Sequence, residues 1–210
     1  LGAIAAALIT GLARRLQTLG ESGQWAAMAC GVLAAAAGWS WAILLVAYFV
    51  LASAVSLIGA ARKAERTQRS VPQVSLRTGI QVLANGGLFS LVVLRAGSAP
   101  ESIWGLAAVG ALAAASADTW ATEIGTLWGG RPRSIVHWRY TDTGMSGGVT
   151  AIGSVAGVVG ALLVGVLAAA LFGLPLAGDF VVAATAGGIA GCVADSLIGA
   201  TLQTRRWCDH

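Results

Sequence analysis

The chain has 210 residues, 57% of them hydrophobic and only 10% charged, with a mean hydropathy of +0.78 and a net charge of +4. Soluble domains carry about 25% charged residues, so this chain has too little polar surface to cover a water-facing globule. Composition therefore excludes a soluble enzyme or a nucleic-acid-binding module and leaves a polytopic membrane protein. In lipid the backbone must satisfy its own hydrogen bonds, within helices or a closed barrel. The apolar runs are continuous rather than alternating, which rules out barrel strands and predicts an all-α transmembrane helix bundle.

In chain order, the runs predict about seven spans in one integral-membrane domain covering 1–210, near residues 2–19, 24–38, 40–61, 78–95, 102–118, 148–172 and 179–200. Gly38-Trp39-Ser40-Trp41 reads as a turn between the second and third spans, with Trp at the membrane interface. The polar stretches 62–77 and 119–147 read as cytoplasmic loops. Within the first, Arg62 to Arg69 reads as a surface feature that meets anionic headgroups and carries no chemistry. With the end of span one in the cytoplasm, twelve of the thirteen Lys and Arg fall inside and only Arg95 falls outside. That bias places the N-terminus outside and the C-terminus in the cytoplasm. Cys30 and Cys192 sit in apolar runs and read as packing residues, while Cys208 and His210 are too few ligands for a metal site.

Two stretches break the apolar pattern with acids. Ser116-Ala117-Asp118-Thr119-Trp120-Ala121-Thr122-Glu123-Ile124-Gly125 puts two carboxylates at the end of a long apolar run, and Val193-Ala194-Asp195-Ser196-Leu197-Ile198-Gly199-Ala200 repeats its flavour. An acid at the edge of a span is costly unless it faces water, a cation or a partner. Asp118, Glu123 and Asp195 suit a magnesium ion bridging to phosphates, since magnesium takes one or two protein carboxylates and completes its shell with water and phosphate oxygens. The plainer alternative is that Asp118 caps a following helix and Asp195 pairs with an Arg.

The loop between the acids carries Arg131, Arg133 and Arg139, then Gly144-Met145-Ser146-Gly147-Gly148-Val149-Thr150 at the start of the sixth span. Glycine lets backbone amides approach phosphate, and a helix N-terminus favours anions. The Gly-Lys-Ser/Thr ending of a P-loop is missing. Gly153, Gly157 and Gly160 read as small residues for tight helix packing. Upstream, Arg77, Gln81 and Asn85 fall at i, i+4 and i+8, one polar stripe facing the bundle interior or a water-filled cleft. An interhelical hydrogen-bond set is the alternative for this stripe. Two hairpins, opening on Asn85-Gly86-Gly87 and Ser146-Gly147-Gly148 and ending at Asp118 and Asp195, outline an internal repeat with unequal spacings.

On four ordered motifs the chain resembles an integral-membrane family of bacteria, archaea and plants, domain of unknown function 92. They are Arg77-x3-Gln81-Val82-Leu83-Ala84-Asn85-Gly86, Ala117 to Gly125, Gly144 to Thr150, and Asp195-Ser196-Leu197-Ile198-Gly199-Ala200-Thr201-Leu202-Gln203. The family includes the plant and cyanobacterial phytyl-phosphate kinases, and the resemblance covers nearly all of the chain. The Asp118 segment and the Gly-rich stretch are also similar, more loosely, to the CTP-dependent dolichol and phytol kinases. The resemblance implies transfer of a nucleotide γ-phosphate, from CTP or a related triphosphate with Mg2+, to a phytyl- or geranylgeranyl-type monophosphate at the cytoplasmic face. It implies that Asp118, Glu123 and Asp195 hold magnesium and that Arg77 and Asn85 act with them on the reacting phosphates. Gln81, Thr122, Arg131, Arg133, Arg139, Ser146, Gly147, Gly148 and Gln203 then hold the nucleotide and position its oxygens, while the lipid tail lies between helices. Family members usually continue past the position of His210 with another polar segment and helix.

The setting so implied is a bacterial inner membrane, with the bilayer, an isoprenyl phosphate and a nucleotide as partners, no nucleic acid, and room for a homodimer. The rival reading is a transporter or lipid flippase with an acidic intramembrane site, which predicts polar residues reaching both sides. A CDP-alcohol transferase fits less well because its spaced carboxylate motif is missing. A non-catalytic scaffold leaves the acids unexplained.

Overall fold

The computed structural model describes residue 11 and residues 19–67, 76–175 and 178–202. Among these, seven helices follow one another: α1 (Glu21–Ala37), α2 (Trp39–Leu57), α3 (Ala60–Thr67), α4 (Gly79–Ala96), α5 (Ile103–Trp128), α6 (Ala151–Phe172) and α7 (Asp179–Leu202). The protein is an all-α membrane protein with one small addition. Strands β1 (Arg133–Ser134) and β2 (Gly148–Val149) pair antiparallel and tie the long polar loop into a compact lobe. Helices α2, α4, α6 and α7 are long and apolar enough to cross a membrane. Of the first predicted span, only residues 11 and 19 fall among the described residues.

The bundle is built around α5, which packs against α6 and α7 and also against α2, α3 and α4, while α2 reaches α6 and α1 lies on α2 and α4. The α5–α6 seam depends on small residues. A Cβ added at Gly153 would sit 2.7 Å from the Ala121 carbonyl oxygen, one at Gly157 3.2 Å from that of Ala117, and one at Gly160 2.8 Å from Trp120 Cγ. These glycines therefore serve close backbone approach, as small-residue motifs do between membrane helices. The Ser116 hydroxyl crosses the seam and donates to the Gly160 carbonyl at 2.9 Å.

Sequence ends the fifth span at Asp118 and predicts a loop from residue 119. The structure replaces the start of that loop with helix, because α5 continues unbroken to Trp128. No proline interrupts Thr119–Trp128, and Thr119 satisfies its hydroxyl inside the helix by donating to Ala115 at 2.9 Å. The helix stops only at Gly129, whose N–H still reaches Gly125. Asp118 is thus an interior helix residue, so the capping alternative falls.

The turns sort to two ends. At one end Trp41 Nε1 donates to the Gly97 carbonyl at 2.9 Å, its ring packs against Phe89 and Phe172, and Ser40 donates to Leu171. Trp41, predicted at a membrane interface, is only 1% exposed, because its indole fastens three turns together. At the other end Arg66 donates to the carbonyls of Leu127 and Gly130, closing the C-terminus of α5. Of the described Lys and Arg, only Arg95 lies away from this second end.

Candidate acidic cavity

A cavity of about 540 Å³ lies between α5, α6, α7 and the 130–148 loop. Helix α5 contributes Asp118 and Thr122 to its wall, α6 contributes Ser154, and α7 contributes Cys192, Asp195 and Ser196. The loop contributes Trp138, Ser146, Gly147 and Gly148. Asp118 is half-buried and Asp195 exposed, and the two are near enough to act on each other as like charges. Among the described residues neither carboxylate has a hydrogen bond or ion pair, so the predicted alternative of an Asp195–Arg pair is not formed there.

Loop geometry brings the Gly-rich stretch to α7. The Ile135 N–H donates to the Gly147 carbonyl at 2.9 Å beside the β1–β2 ladder. Gly147 has φ +74°, and a Cβ there would meet Ala200 Cβ at 2.4 Å and the Ser196 carbonyl at 2.9 Å. Both the conformation and the contact require glycine. Thr150 caps α6 by accepting the Gly153 N–H at 3.0 Å, and Thr150, Gly153 and Ser154 of this first turn line the cavity.

Glu123 does not join Asp118. Each helical residue turns the chain by about 100°, so Thr122 stays on the face of Asp118 while Glu123 turns away. Its carboxylate pairs with Lys63 of α3, and it is absent from the cavity wall. The expected magnesium ligand is instead half of a structural ion pair. Lys63, within a stretch read as surface, is 8% exposed and also donates to the carbonyls of Ser56 (2.6 Å) and Val55 (3.3 Å). A lysine so buried needs such partners.

The arginines expected on phosphates also lie elsewhere. Arg131 and Arg133 stand over the Tyr140 ring, 5.4 and 4.7 Å from its centroid, and none of Arg131, Arg133 and Arg139 lines the cavity. Arg133 donates to the Tyr140 hydroxyl at 3.2 Å, and this bond, with the charges of Arg133 and Arg131, holds the phenol below its ordinary pKa. These cations prefer an aromatic face on their own short hairpin to a reach across the loop.

The Arg77–Gln81–Asn85 stripe lines a separate, smaller and largely apolar pocket between α1, α2 and α4. Gln81 is committed to a capping box, in which its amide oxygen accepts from Thr78 N–H at 2.9 Å while the Thr78 hydroxyl accepts from Gln81 N–H. Arg77 donates to Ser56 Oγ at 3.3 Å and lies over the Phe49 ring. Tyr48 also lines this pocket, with its hydroxyl buried near Thr119 and Asn85. Gln203 lies outside the described residues.

Sequence reasoning missed Cys192, Ser154, Trp138 and Tyr48. Cys192 precedes Asp195 by three residues and Ser154 follows Thr150 by four, helical spacings that share a face once a neighbouring acid defines it. Tyr48 gives no comparable signal, being one aromatic in an apolar run. Among the described residues there is no cluster of three or more His, Cys, Asp and Glu. Two carboxylates ringed by hydroxyls do fit a hard cation that draws its remaining ligands from water and phosphate.

Known proteins align with most of this sequence. The chain is 36% identical over 178 residues to the uncharacterized membrane protein MJ0933 of Methanocaldococcus jannaschii, an alignment covering 80% of this chain and 67% of that protein. It is 29% identical over 195 residues to Protein PGR of Arabidopsis thaliana, covering 82% of this chain and 67% of the plant protein. No solved structure matches. Residues 4–210 match the family described as integral membrane protein DUF92, and the chain belongs to that family.

Proposed function

We propose that the chain is an isoprenoid-lipid monophosphate kinase, transferring the γ-phosphate of CTP or a related triphosphate to a phytyl- or geranylgeranyl-type monophosphate. The observation that carries this reading is the pair of carboxylates, Asp118 on α5 and Asp195 on α7, that line one cavity beside a Gly-rich loop and have no partner among the described residues. The four sequence motifs supply the choice of reaction. Phosphoryl transfer needs mainly positioning and neutralisation of charge, and an acceptor phosphate is already a nucleophile. Asp118 and Asp195 would hold magnesium, which when bound supplies positive charge to the phosphate oxygens. The hydroxyls of Thr122, Ser146 and Ser196 and the N-terminus of α6 hold and orient those oxygens. Arg77 and Asn85 line the neighbouring pocket with Tyr48 and would act on the acceptor phosphate from there.

The same reading takes seven spans, an outside N-terminus and a cytoplasmic C-terminus in a bacterial inner membrane. The cavity then opens where nucleoside triphosphate is found, at the cation-rich end of the bundle. A transporter needs polar groups along a path to both ends, and the cavity wall residues cluster at one.

The test is transfer by purified, detergent-solubilised protein, offered each lipid monophosphate with magnesium and CTP, UTP, GTP or ATP. Diphosphate formed by the parent and reduced at least ~100-fold in both Asp118→Asn and Asp195→Asn is the expected result. A folded full-length protein that forms no product with any pair overturns the kinase reading for these lipids.

A further inference from the structure

Trp138 is the one described non-glycine residue with a positive φ, at 56°. That conformation is a genuine outlier for a bulky side chain and persists only where surrounding structure imposes it. Here the surroundings are a hydrogen-bonded hairpin. Trp138 N–H donates to the Ser134 carbonyl at 2.8 Å, Ser134 N–H donates to the Arg139 carbonyl at 2.8 Å, and the β1–β2 ladder fastens that hairpin to Gly148 and Val149. The strain gains nothing from burial, because the indole remains 65% exposed. It does place the indole on the wall of the cavity that holds Asp118 and Asp195.

A large, mostly exposed aromatic side chain whose backbone is fixed beside a polar cavity offers a stacking surface for a planar ring. We infer that Trp138 is the platform on which the nucleotide base stacks, with the triphosphate directed inward past Ser146 towards the two carboxylates. The inference rests on the kinase reading and adds to it a donor-specificity residue outside the four motifs. Stacking on an indole is open to every base, because every base has a π face, so Trp138 gives affinity for nucleotides over bare polyphosphate rather than a choice among bases. A membrane-interface tryptophan, the other common role for an exposed indole, makes no such distinction.

The experiment measures binding of Mg-CTP and of Mg-tripolyphosphate to the full chain in detergent, without lipid acceptor. It compares the parent with Trp138→Gly, which removes the ring and suits the positive φ, and with Trp138→Phe, which keeps an aromatic face. The expected result is about tenfold weaker CTP binding in Trp138→Gly with tripolyphosphate binding unchanged, and Trp138→Phe within about threefold of the parent. Thermal stability of Trp138→Gly is expected to equal or exceed that of the parent, since the strain is relieved. Parent-like CTP binding by Trp138→Gly, or equal loss of both ligands, overturns the platform while leaving the kinase reading standing. A folded parent that binds neither ligand overturns both.

Discussion

Glu123 and Asp118 lie five residues apart on one helix and meet different fates. Asp118 opens on the cavity, and Glu123 closes on Lys63. Removing one partner of this partly buried pair leaves Lys63 with only carbonyl acceptors and costs about 1–3 kcal/mol, less than for a fully buried pair. Glu123→Gln is therefore expected to lose about that much stability in thermal unfolding while its magnesium dependence stays as in the parent. Lys63→Met combined with Glu123→Leu is expected to recover most of the loss. A shifted magnesium requirement in Glu123→Gln would return Glu123 to the metal site. Cys192 offers a second residue-level measurement, since its thiol shares the cavity wall with both acids. With Cys30 and Cys208 replaced by Ala, Mg-CTP is expected to slow maleimide labelling of Cys192 at least ~10-fold, by occupying the space the reagent needs. Equal labelling rates with and without Mg-CTP would place the nucleotide elsewhere.

At the scale of elements, the cavity exists because α5 and α6 approach closely enough for α7 and the loop to close over them. Gly153 sets that approach near the site, where an added methyl meets the Ala121 carbonyl and the Thr150 hydroxyl below 3 Å. Gly153→Ala is expected to cost about 1–3 kcal/mol by overpacking and to disturb the Thr150 cap. Gly110, on the same α5 but with nothing within 4 Å of an added Cβ, is the control. Gly110→Ala is expected to be neutral or to stabilise by about 0.5–1 kcal/mol through reduced chain entropy in the unfolded state. Melting curves in detergent separate the two, and similar shifts would mean that the seam is looser than its geometry.

At the scale of the whole molecule, the two ends differ in chemistry. One is closed by Trp41 and turns at Gly38, Gly97 and Gly173, the other by α3, the hairpin loop and most of the cations. In the proposed orientation the first end faces outward. A cysteine-free protein carrying Ser98→Cys is expected to react with a membrane-impermeant maleimide on intact cells, and one carrying His137→Cys only in inverted vesicles. Both positions are exposed, so access reports the side of the membrane rather than packing. The opposite pattern would reverse the orientation and remove cytosolic nucleotide as the donor.

The sequence by itself determined the solvent, the class of fold and the family, since continuous apolar runs with few charges leave only membrane helices. It also determined that Asp118 and Asp195 needed water, a cation or a partner, because an acid beside lipid is costly wherever the helices lie. Only the tertiary structure decided which polar residues meet. Helical phase turns Glu123 away from Asp118, yet nothing local says that Lys63 of α3 waits on that side. Arg131 and Arg133 look free in sequence, but the two-residue ladder and the Tyr140 ring hold them off the cavity. The Arg77 stripe is correctly helical in spacing, and its helix packs on α1 and α2, so it faces a different pocket. Periodicity records the direction of a side chain about its own helix axis, whereas the identity of its neighbour depends on how helices distant in sequence pack together.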